Sequence, residues 1–229
     1  MNGNDHLIEI QGLGREYMTA DTTVCAIREM SFFIDDGEFV SIVGQSGAGK
    51  STLLAALGGL NRPTRGNVWV DTLDLYGLTS EQRADFRSEY VGFVFQSFQL
   101  IPYLTAMENV KIPLSIANVK KDIQAEMAAE ALEKVGLQDK KDRLPDQLSG
   151  GEQERVAIAR AIVNRPPIVL ADEPTGNLDS ETAGQVIALL KQLNHDGQTV
   201  IMVTHNKNLC RDTDRTVHVK DGLCVMGEA

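Results

Sequence analysis

A single eight-residue segment, Gly44-Gln45-Ser46-Gly47-Ala48-Gly49-Lys50-Ser51, restricts the possible folds of this chain more than any other feature. It follows an apolar run, Phe39–Val43, and opens a segment of helical character, Thr52–Leu60. Every fixed position of the pattern G-x-x-x-x-G-K-[ST] is matched. Such glycines let consecutive backbone N–H groups point at one phosphate, and the helix N-terminus adds partial positive charge. A nucleoside triphosphate site is therefore predicted, in preference to a glycine turn that only caps a helix.

Further short apolar runs predict the rest of the sheet. Ile168–Ala171 and Thr199–Val203 are apolar on both faces, which is typical of parallel strands that helices cover on each side. The first 35 residues differ, because Leu7–Ile10 and Val24–Ile34 alternate between apolar and polar positions. We therefore expect an α/β fold, a P-loop NTPase core with a mostly parallel sheet and an N-terminal antiparallel β subdomain.

Residues 105 to about 147 contain no strand candidate and interrupt the alternation of strands and helices. Apolar residues recur there every four positions, which predicts one amphipathic helix. These residues are Ile123, Met127, Ala131 and Val135, with Ala128 and Leu132 on the same side. Gly136 follows as a predicted C-terminal cap. The segment is interpreted as a helical insertion between two strands.

Two carboxylates, Asp172 and Glu173, stand where the apolar run Ile168–Ala171 ends. A phosphate loop needs a metal-binding carboxylate at the end of a neighbouring strand, and Asp172 is placed to supply it. Glu173 is the natural general base for a water that attacks the γ-phosphate. The alternative is an ordinary solvated turn, which the complete phosphate loop makes less favourable.

A second anion site is predicted at Leu148-Ser149-Gly150-Gly151-Glu152-Gln153, which precedes a helical run, Glu154–Val163. Its hydroxyl, free amides and helix dipole suit a phosphate. One nucleotide does not need two such sites from one chain, so each chain is expected to lend this turn to a neighbour's nucleotide. The alternative is a Ser149 N-cap whose capping box is closed by Glu152.

With these segments in place, the sequence resembles the nucleotide-binding subunit of an ABC transporter over nearly its whole length. Six ordered motifs carry the resemblance: Walker A at Gly44–Ser51, the Q-loop glutamine at Gln96 after the strand Val91–Phe95, the signature at Leu148–Gln153, Walker B at Ile168–Glu173, the D-loop at Gly176–Asp179 and the switch histidine at His205. Tyr17 is similar to the aromatic residue that stacks on adenine.

The resemblance implies an ATPase that uses ATP and Mg²⁺, and it assigns the site residues. Catalytic roles are implied for Glu173, His205 and Gln96, and metal binding for Ser51, Gln96 and Asp172. Nucleotide binding is implied for Tyr17, Gly44, Gln45, Ser46, Gly47, Ala48, Gly49, Lys50, Ser51, Thr52, Ser149, Gly150, Gly151, Glu152 and Asp179. By themselves, His205 and Gln96 could be ordinary structural polar residues, Asp179 a plain helix N-cap, and Tyr17 a packing residue.

Finer similarity, in Val94–Pro102 and Asp172–Ala183, is to the macrolide-efflux, lipoprotein-release and cell-division ATPases. That group implies a head-to-tail homodimer, peripheral at the cytoplasmic face of the cell membrane, with integral membrane permease subunits docked near Phe98–Leu104. Residues 1–229 are expected to form one ABC ATPase domain, with 105–147 and the signature helix to 164 as a helical subdomain. Glu154 stands where many relatives have Gln, and is expected to add a carboxylate near the signature turn.

Charge and composition restrict the partners. Lys plus Arg number 22 against 32 Asp plus Glu, a net charge of −10 that argues against nucleic acid. Neither a membrane span nor a secretory signal is apparent, and Cys25, Cys210 and Cys224 are expected to be idle thiols. The alternatives are a P-loop kinase or GTPase, a soluble ABC-type translation or repair factor, and an ATPase that relays force to cell-envelope remodelling without transport.

Overall fold

The computed structural model describes residues 6–18 and 22–225 of the chain. The strands are β1 (Ile8–Met18), β2 (Thr23–Ile34), β3 (Phe39–Val43), β4 (Arg65–Val70), β5 (Leu73–Asp74), β6 (Val91–Val94), β7 (Ile168–Asp172), β8 (Thr199–Thr204), β9 (Arg215–Lys220) and β10 (Leu223–Val225). The helices are α1 (Lys50–Leu57), α2 (Ser80–Tyr90), α3 (Ala106–Ile116), α4 (Lys121–Lys134), α5 (Gly150–Ile162) and α6 (Ser180–His195). Short 3₁₀ segments lie at Gln138–Lys140, Pro145–Gln147 and Lys207–Asp212.

The described residues form two compact units: those up to residue 87 together with those from 199 onward, and residues 88–198. In the part of the chain that is described, none of the helices combines the length and apolar character that a bilayer crossing demands.

In the first unit the strands follow the order β5-β4-β1-β2-β10-β9-β3-β8. β1 pairs antiparallel with β2 and with β4, which confirms the predicted N-terminal antiparallel subdomain. The sequence analysis did not predict β4 and β5, and it ended the first strand at Ile10, whereas β1 continues to Met18. Shifts in register along β1 let this strand bend and continue.

The centre of the first unit is parallel, as predicted. β3 pairs in parallel with β8 on one side and with β9 on the other, and all five of its residues are buried. The predicted helix Thr52–Leu60 is wrong at both ends, because α1 begins at Lys50 and ends at Leu57. Gly58 caps the helix, and Gly59, at φ 66°, turns the chain away.

The second unit contains the parallel pair β6 and β7 together with α3, α4, α5 and α6. The predicted helical insertion is confirmed, as two helices rather than one. α4 buries Ala128, Ala131 and Leu132, whereas Ile123, at its first turn, is 46% exposed. The predicted end of this helix is also confirmed, because Gly136 adopts φ 72° and the N–H of Leu137 donates to the carbonyl of Leu132 at 2.8 Å.

Candidate nucleotide-binding site

The phosphate loop lies between β3 and α1, and its backbone path requires glycine at two positions. Gly49 has φ 99°, and a Cβ at this position would lie 2.2 Å from the carbonyl oxygen of Ala26. A Cβ on Gly44 would lie 2.1 Å from the carbonyl oxygen of Val219. Strands β2 and β9 therefore approach the loop too closely for any side chain at either position.

Lys50, the first residue of α1, is only 7% exposed. Its ammonium donates to the carbonyl oxygens of Gly44 at 2.9 Å and Gln45 at 3.0 Å. Ser46 and Gly47, at the tip of the loop, are exposed. The ammonium thus lies within the curve of the loop, beside the backbone that is expected to surround a phosphate.

A cavity of about 630 Å³ in the first unit opens on the phosphate loop. Gly44–Ala48 form one wall, and His205, Lys207, His218 and Lys220 contribute to the others. His205 follows β8 directly and is exposed, so its predicted place at the end of a strand is confirmed. The sequence analysis gave His218 no role. His218 lies beside the loop because β9 pairs in parallel with β3, with His218 opposite Val43. No local sequence pattern predicts that pairing.

In the second unit, Gln96 lies in an exposed turn two residues after β6 ends. Its carbonyl oxygen accepts a hydrogen bond from the side-chain amide of Asn177 at 3.1 Å. Phe98 and Gln99 follow with φ of 58° and 53°. Asn177, in the predicted D-loop, therefore supports this segment. Arg160, for which no role was predicted, supports it as well, since its guanidinium donates to the carbonyls of Phe98 and Gln99.

Asp172 is the last residue of β7, and Glu173 follows in the left-handed region at φ 49°. Glu173 is 9% exposed, and its carbonyl oxygen accepts from the N–H of Gly176 at 2.9 Å. A Cβ on Gly176 would lie 3.6 Å from Cβ of Glu173 and 3.8 Å from Nε2 of Gln96. The turn after β7 therefore brings Gln96 and Glu173 close to the same glycine.

Ser149 caps the N-terminus of α5. Its hydroxyl accepts from the N–H of Glu152 at 3.3 Å, and the Glu152 carboxylate accepts from the N–H of Ser149 at 2.8 Å. The capping box that was the simpler alternative is thus present. Lys140 also bonds to Glu152, and this bond, together with those from Ser149, lowers the pKa of the carboxyl.

The glycines of the signature turn allow close contacts within the second unit. A Cβ on Gly151 would lie 2.2 Å from Cγ2 of Thr182, so α5 and α6 approach closely there. Gly150 lies beside the Phe98 ring, because a Cβ at this position would be 4.0 Å from Cζ of Phe98.

Asp179 caps the N-terminus of α6. Its carboxylate accepts hydrogen bonds from Thr182 and Glu181, and these bonds, chiefly those from Thr182, lower the pKa of the carboxyl.

Glu154 lies close in sequence to the signature turn, as expected, but its carboxyl group is buried. The side chain is 1% exposed, and its Oε1 has no hydrogen-bond partner in the described structure. Burial raises the pKa of this carboxyl to about 8, although the charge of Arg160 acts in the opposite direction. At neutral pH Glu154 is therefore mostly protonated and brings little negative charge to the turn.

Tyr17 lies on β1, opposite Val24 of β2, and is half-buried. The guanidinium of Arg15 lies over its ring at 4.5 Å from the centroid, which is a cation–π contact. The ring is therefore not enclosed in the core, and stacking on adenine stays a prediction.

The family model described as "ABC transporter" matches residues 27–176, from β2 through the turn that follows β7. The chain belongs to the ABC transporter ATP-binding family. Its α/β fold, with a P-loop NTPase core, is that of the ABC ATPase cassettes.

Two relatives illustrate the range of this ABC family. The ABC transporter ATP-binding protein YvrO of Bacillus subtilis (strain 168) is 42% identical over 97% of both chains. The macrolide export ATP-binding/permease protein MacB of Rhodopirellula baltica is 43% identical over 95% of this chain, which spans only 32% of MacB.

Among solved structures, the cassette MJ0796 of Methanocaldococcus jannaschii, a dimer in a post-hydrolysis state bound to ADP and Pi, superposes with a TM-score of 0.89. It is 41% identical over 96% of this chain and 97% of its own. The family and this ADP- and Pi-bound relative support ATP binding and hydrolysis by the present chain.

Proposed function

We propose that this chain is the ATP-hydrolysing motor subunit of an ABC transporter complex of the export or lipoprotein-release type. The observation that carries the proposal is the similarity, along nearly the whole chain, to a dimeric cassette bound to ADP and Pi. The export type is supported by the 43% identity to a MacB protein that joins an ATP-binding part and a permease in one chain.

In this proposal the phosphate loop and Lys50 bind the β- and γ-phosphates. Glu173 accepts a proton from the attacking water, and its buried position at the end of β7 holds the carboxylate in place. Gln96, which like Glu173 lies close to Gly176, orients the water or the metal. His205 hydrogen-bonds the γ-phosphate from the wall of the loop cavity.

Mg²⁺ fits the donors that the chain offers. The Ser51 hydroxyl, the Asp172 carboxylate and the Gln96 side-chain carbonyl are all oxygen ligands, and Mg²⁺ prefers oxygen ligands together with phosphate oxygens. These three residues would hold the ion, whose charge would neutralise the charge that develops on the phosphates.

The signature turn supports a head-to-tail homodimer. Ser149 and Glu152 close the capping box of a 13-residue helix, and the backbone N–H groups of Gly150 and Gly151 lie between them at its positive dipole end. One nucleotide is served by one phosphate loop, so we assign this turn to the nucleotide of the partner chain. The dimeric state of the related cassette bound to ADP and Pi supports this arrangement.

The docking surface for the membrane partner is assigned to the segment after Gln96. Phe98–Leu104 has neither helix nor strand, and Tyr103 is 77% exposed. Asn109 of α3, fully buried, fixes this segment by accepting from the N–H of Ile101 at 2.8 Å and donating to the carbonyl of Leu104 at 2.9 Å. The segment therefore has a defined shape although its backbone is irregular.

Next to this segment, an open groove of about 470 Å³ runs along α3 to the start of α4. Its walls are formed by Leu104, Glu108, Lys111, Ile112, Ser115, Ile116 and Gln124. A short amphipathic helix from the cytoplasmic side of a permease would bury apolar surface there. The chain would then be peripheral at the cytoplasmic face of the membrane.

The test is co-purification from detergent-solubilised membranes of the source cells, with mass spectrometry to identify the captured protein and assay of ATPase stimulation. Ile116→Asp introduces a charge at an isoleucine that lines the groove and is 67% exposed. Ile123→Asp is the matched control, at an isoleucine of α4 that is 46% exposed and does not line the groove.

We expect the wild type and Ile123→Asp to capture one integral membrane protein that stimulates hydrolysis, and Ile116→Asp to lose both capture and stimulation. Equal capture by all three proteins would reject the groove as the docking surface. Failure of the wild type to capture any membrane protein would count against the motor role itself.

A further inference from the structure

Arg160, near the C-terminal end of α5, connects the signature helix to the segment after Gln96. Its Nη2 donates to the carbonyl of Phe98 at 2.7 Å, and its Nη1 donates to the carbonyl of Gln99 at 2.5 Å. Both bonds are donated by the same planar guanidinium, whose two terminal nitrogens bond to two neighbouring carbonyl groups. The ammonium of a lysine cannot reproduce this geometry. Arg160 therefore fixes both the position and the orientation of this backbone.

The backbone held by Arg160 is strained. Phe98 and Gln99 both adopt left-handed φ values, 58° and 53°, which side chains larger than glycine rarely do. Such a conformation persists only where the surrounding structure determines it, and it occurs often at functional sites. The N–H of Phe98 donates back to Phe95 at 3.1 Å, so the strained pair closes the turn that contains Gln96.

The same turn is held from a second element. The side-chain amide of Asn177, in the segment between β7 and α6, donates to the carbonyl of Gln96 at 3.1 Å. The ring of Phe98 also lies beside Gly150, at the first turn of α5. The signature helix thus contacts this segment at both of its ends, through the Phe98 ring and through Arg160.

We propose that Arg160 is a positioning residue for ATP hydrolysis: by holding the carbonyls of Phe98 and Gln99, it places the side chain of Gln96 beside Glu173. Asn177 supports the same turn from the other side. The inference rests on the proposed function of Gln96 in hydrolysis. Its new element is that a residue of the signature helix, Arg160, fixes the position of the Gln96 side chain.

The kinetic test uses the purified 229-residue chain and a double-mutant cycle. Arg160→Lys keeps the charge but loses the fork, and a displacement of about 1 Å at a reacting group costs on the order of 10²-fold in rate. We expect kcat to fall about 10- to 100-fold while the Kd for ATP stays within about twofold of the wild type. Combined with Gln96→Ala, the lysine variant should lower kcat no further, because both act on one group.

Arg155→Lys is the matched control, on the same helix, where the arginine instead donates to the side chain of Gln185 at 3.2 Å. It should retain the wild-type kcat. Asn177→Ala provides a second approach to the same turn, and its effect should also disappear in the Gln96→Ala background. Losses that multiply in the double variants, or a wild-type kcat for Arg160→Lys, would overturn the proposal.

Hydrogen exchange followed by mass spectrometry separates this inference from the proposed function. In Arg160→Lys, exchange of the amides at Phe98 and Gln99 should accelerate at least about tenfold, while α3 and α4 keep their protection. If the wild type hydrolysed no ATP, the proposed function would be wrong. Faster exchange at these two amides in Arg160→Lys would even then show that Arg160 holds the turn in place. Unchanged exchange at both amides would overturn the positioning role whether or not the chain hydrolyses ATP.

Discussion

The ammonium of Lys50 lies 2.9 Å from the carbonyl oxygen of Gly44, at the opposite end of the phosphate loop. This contact spans the loop and leaves the charge where a phosphate would be surrounded by backbone N–H groups. An incoming triphosphate offers stronger acceptors than a carbonyl, because hydrogen bonds to charged groups are shorter and about twice as strong. Nucleotide binding would therefore replace bonds from the ammonium to neutral carbonyls by bonds from the ammonium to negatively charged phosphate oxygens.

Lys50→Ala should weaken the binding of ATP or abolish its hydrolysis, because it removes the cation that we propose binds the β- and γ-phosphates. Loss of one charge-assisted hydrogen bond corresponds to about 1.5–3 kcal/mol, or roughly 10- to 100-fold in Kd. Isothermal titration calorimetry and phosphate release measure the two effects. Normal ATPase activity in Lys50→Ala would contradict the assignment of the phosphate loop.

Gly49→Ala should destabilise the fold, because the added Cβ would meet the backbone carbonyl of Ala26 at 2.2 Å and because φ is 99° at this position. Gly184→Ala is the control within α6, where an added Cβ meets nothing within 4 Å. The control should gain about 0.5–1 kcal/mol, the usual advantage of alanine over glycine inside a helix. Urea denaturation of both variants measures the contrast, and equal stability of the two would refute the steric argument.

Mixed dimers test the composite site. Ser149→Arg blocks the signature turn, and Lys50→Ala damages the phosphate loop, so each homodimer should be inactive. If Ser149 serves the partner's nucleotide, a dimer with one subunit of each kind has one doubly damaged site and one intact site. Activity should therefore recover in part on mixing. Heterodimers that form, as mass spectrometry can verify, but show no recovery at any ratio would favour a site completed within one chain.

Glu154→Gln should change how stability depends on pH. The pKa of Glu154 is raised from 4.5 to about 8, so between these values the folded state holds a proton that the unfolded chain has lost. Stability therefore falls as pH rises through this window, and the glutamine variant lacks this loss. Compared with the wild type, its free energy of unfolding should rise progressively from pH 5 to pH 8.5.

Urea denaturation across this pH range measures the Glu154 effect, with Glu126→Gln, at an exposed carboxyl of α4, as the control. The control should follow the wild-type pH profile. A Glu154→Gln profile that also runs parallel to the wild type would show that this carboxyl does not hold its proton in the folded state.

Local patterns predicted the parts of the fold that depend on neighbouring residues. The predictions of the strand Phe39–Val43, the phosphate loop and the helical insertion were correct. Each depends on a pattern within a short stretch of sequence: an apolar run, the spacing of glycines, and a four-residue period. The ends of α1 were wrong, since Gly58 stops the helix before Leu60. Such boundaries depend on capping rather than on periodicity.

Pairings between distant segments were not predictable in this way. His218 reaches the phosphate-loop cavity through its register with Val43, 175 residues earlier. In the sequence, Arg160 and Glu154 are indistinguishable from ordinary polar residues of a helix. In the structure, Arg160 donates hydrogen bonds to the carbonyls of a strained turn, and Glu154 is fully buried. Only the packing of the second unit distinguishes these two from the solvated residues beside them.

The most direct test of the account is the oligomeric state and turnover of Glu173→Gln at saturating Mg·ATP. The substitution removes the proposed general base but keeps the size of the side chain, and loss of such a base typically costs about 10²–10⁴-fold in rate. We predict that multi-angle light scattering shows a stable dimer with ATP and a monomer without it, while phosphate release falls by at least about 100-fold. A monomer at saturating ATP, or turnover equal to the wild type, would contradict the proposed ATP-driven dimeric motor.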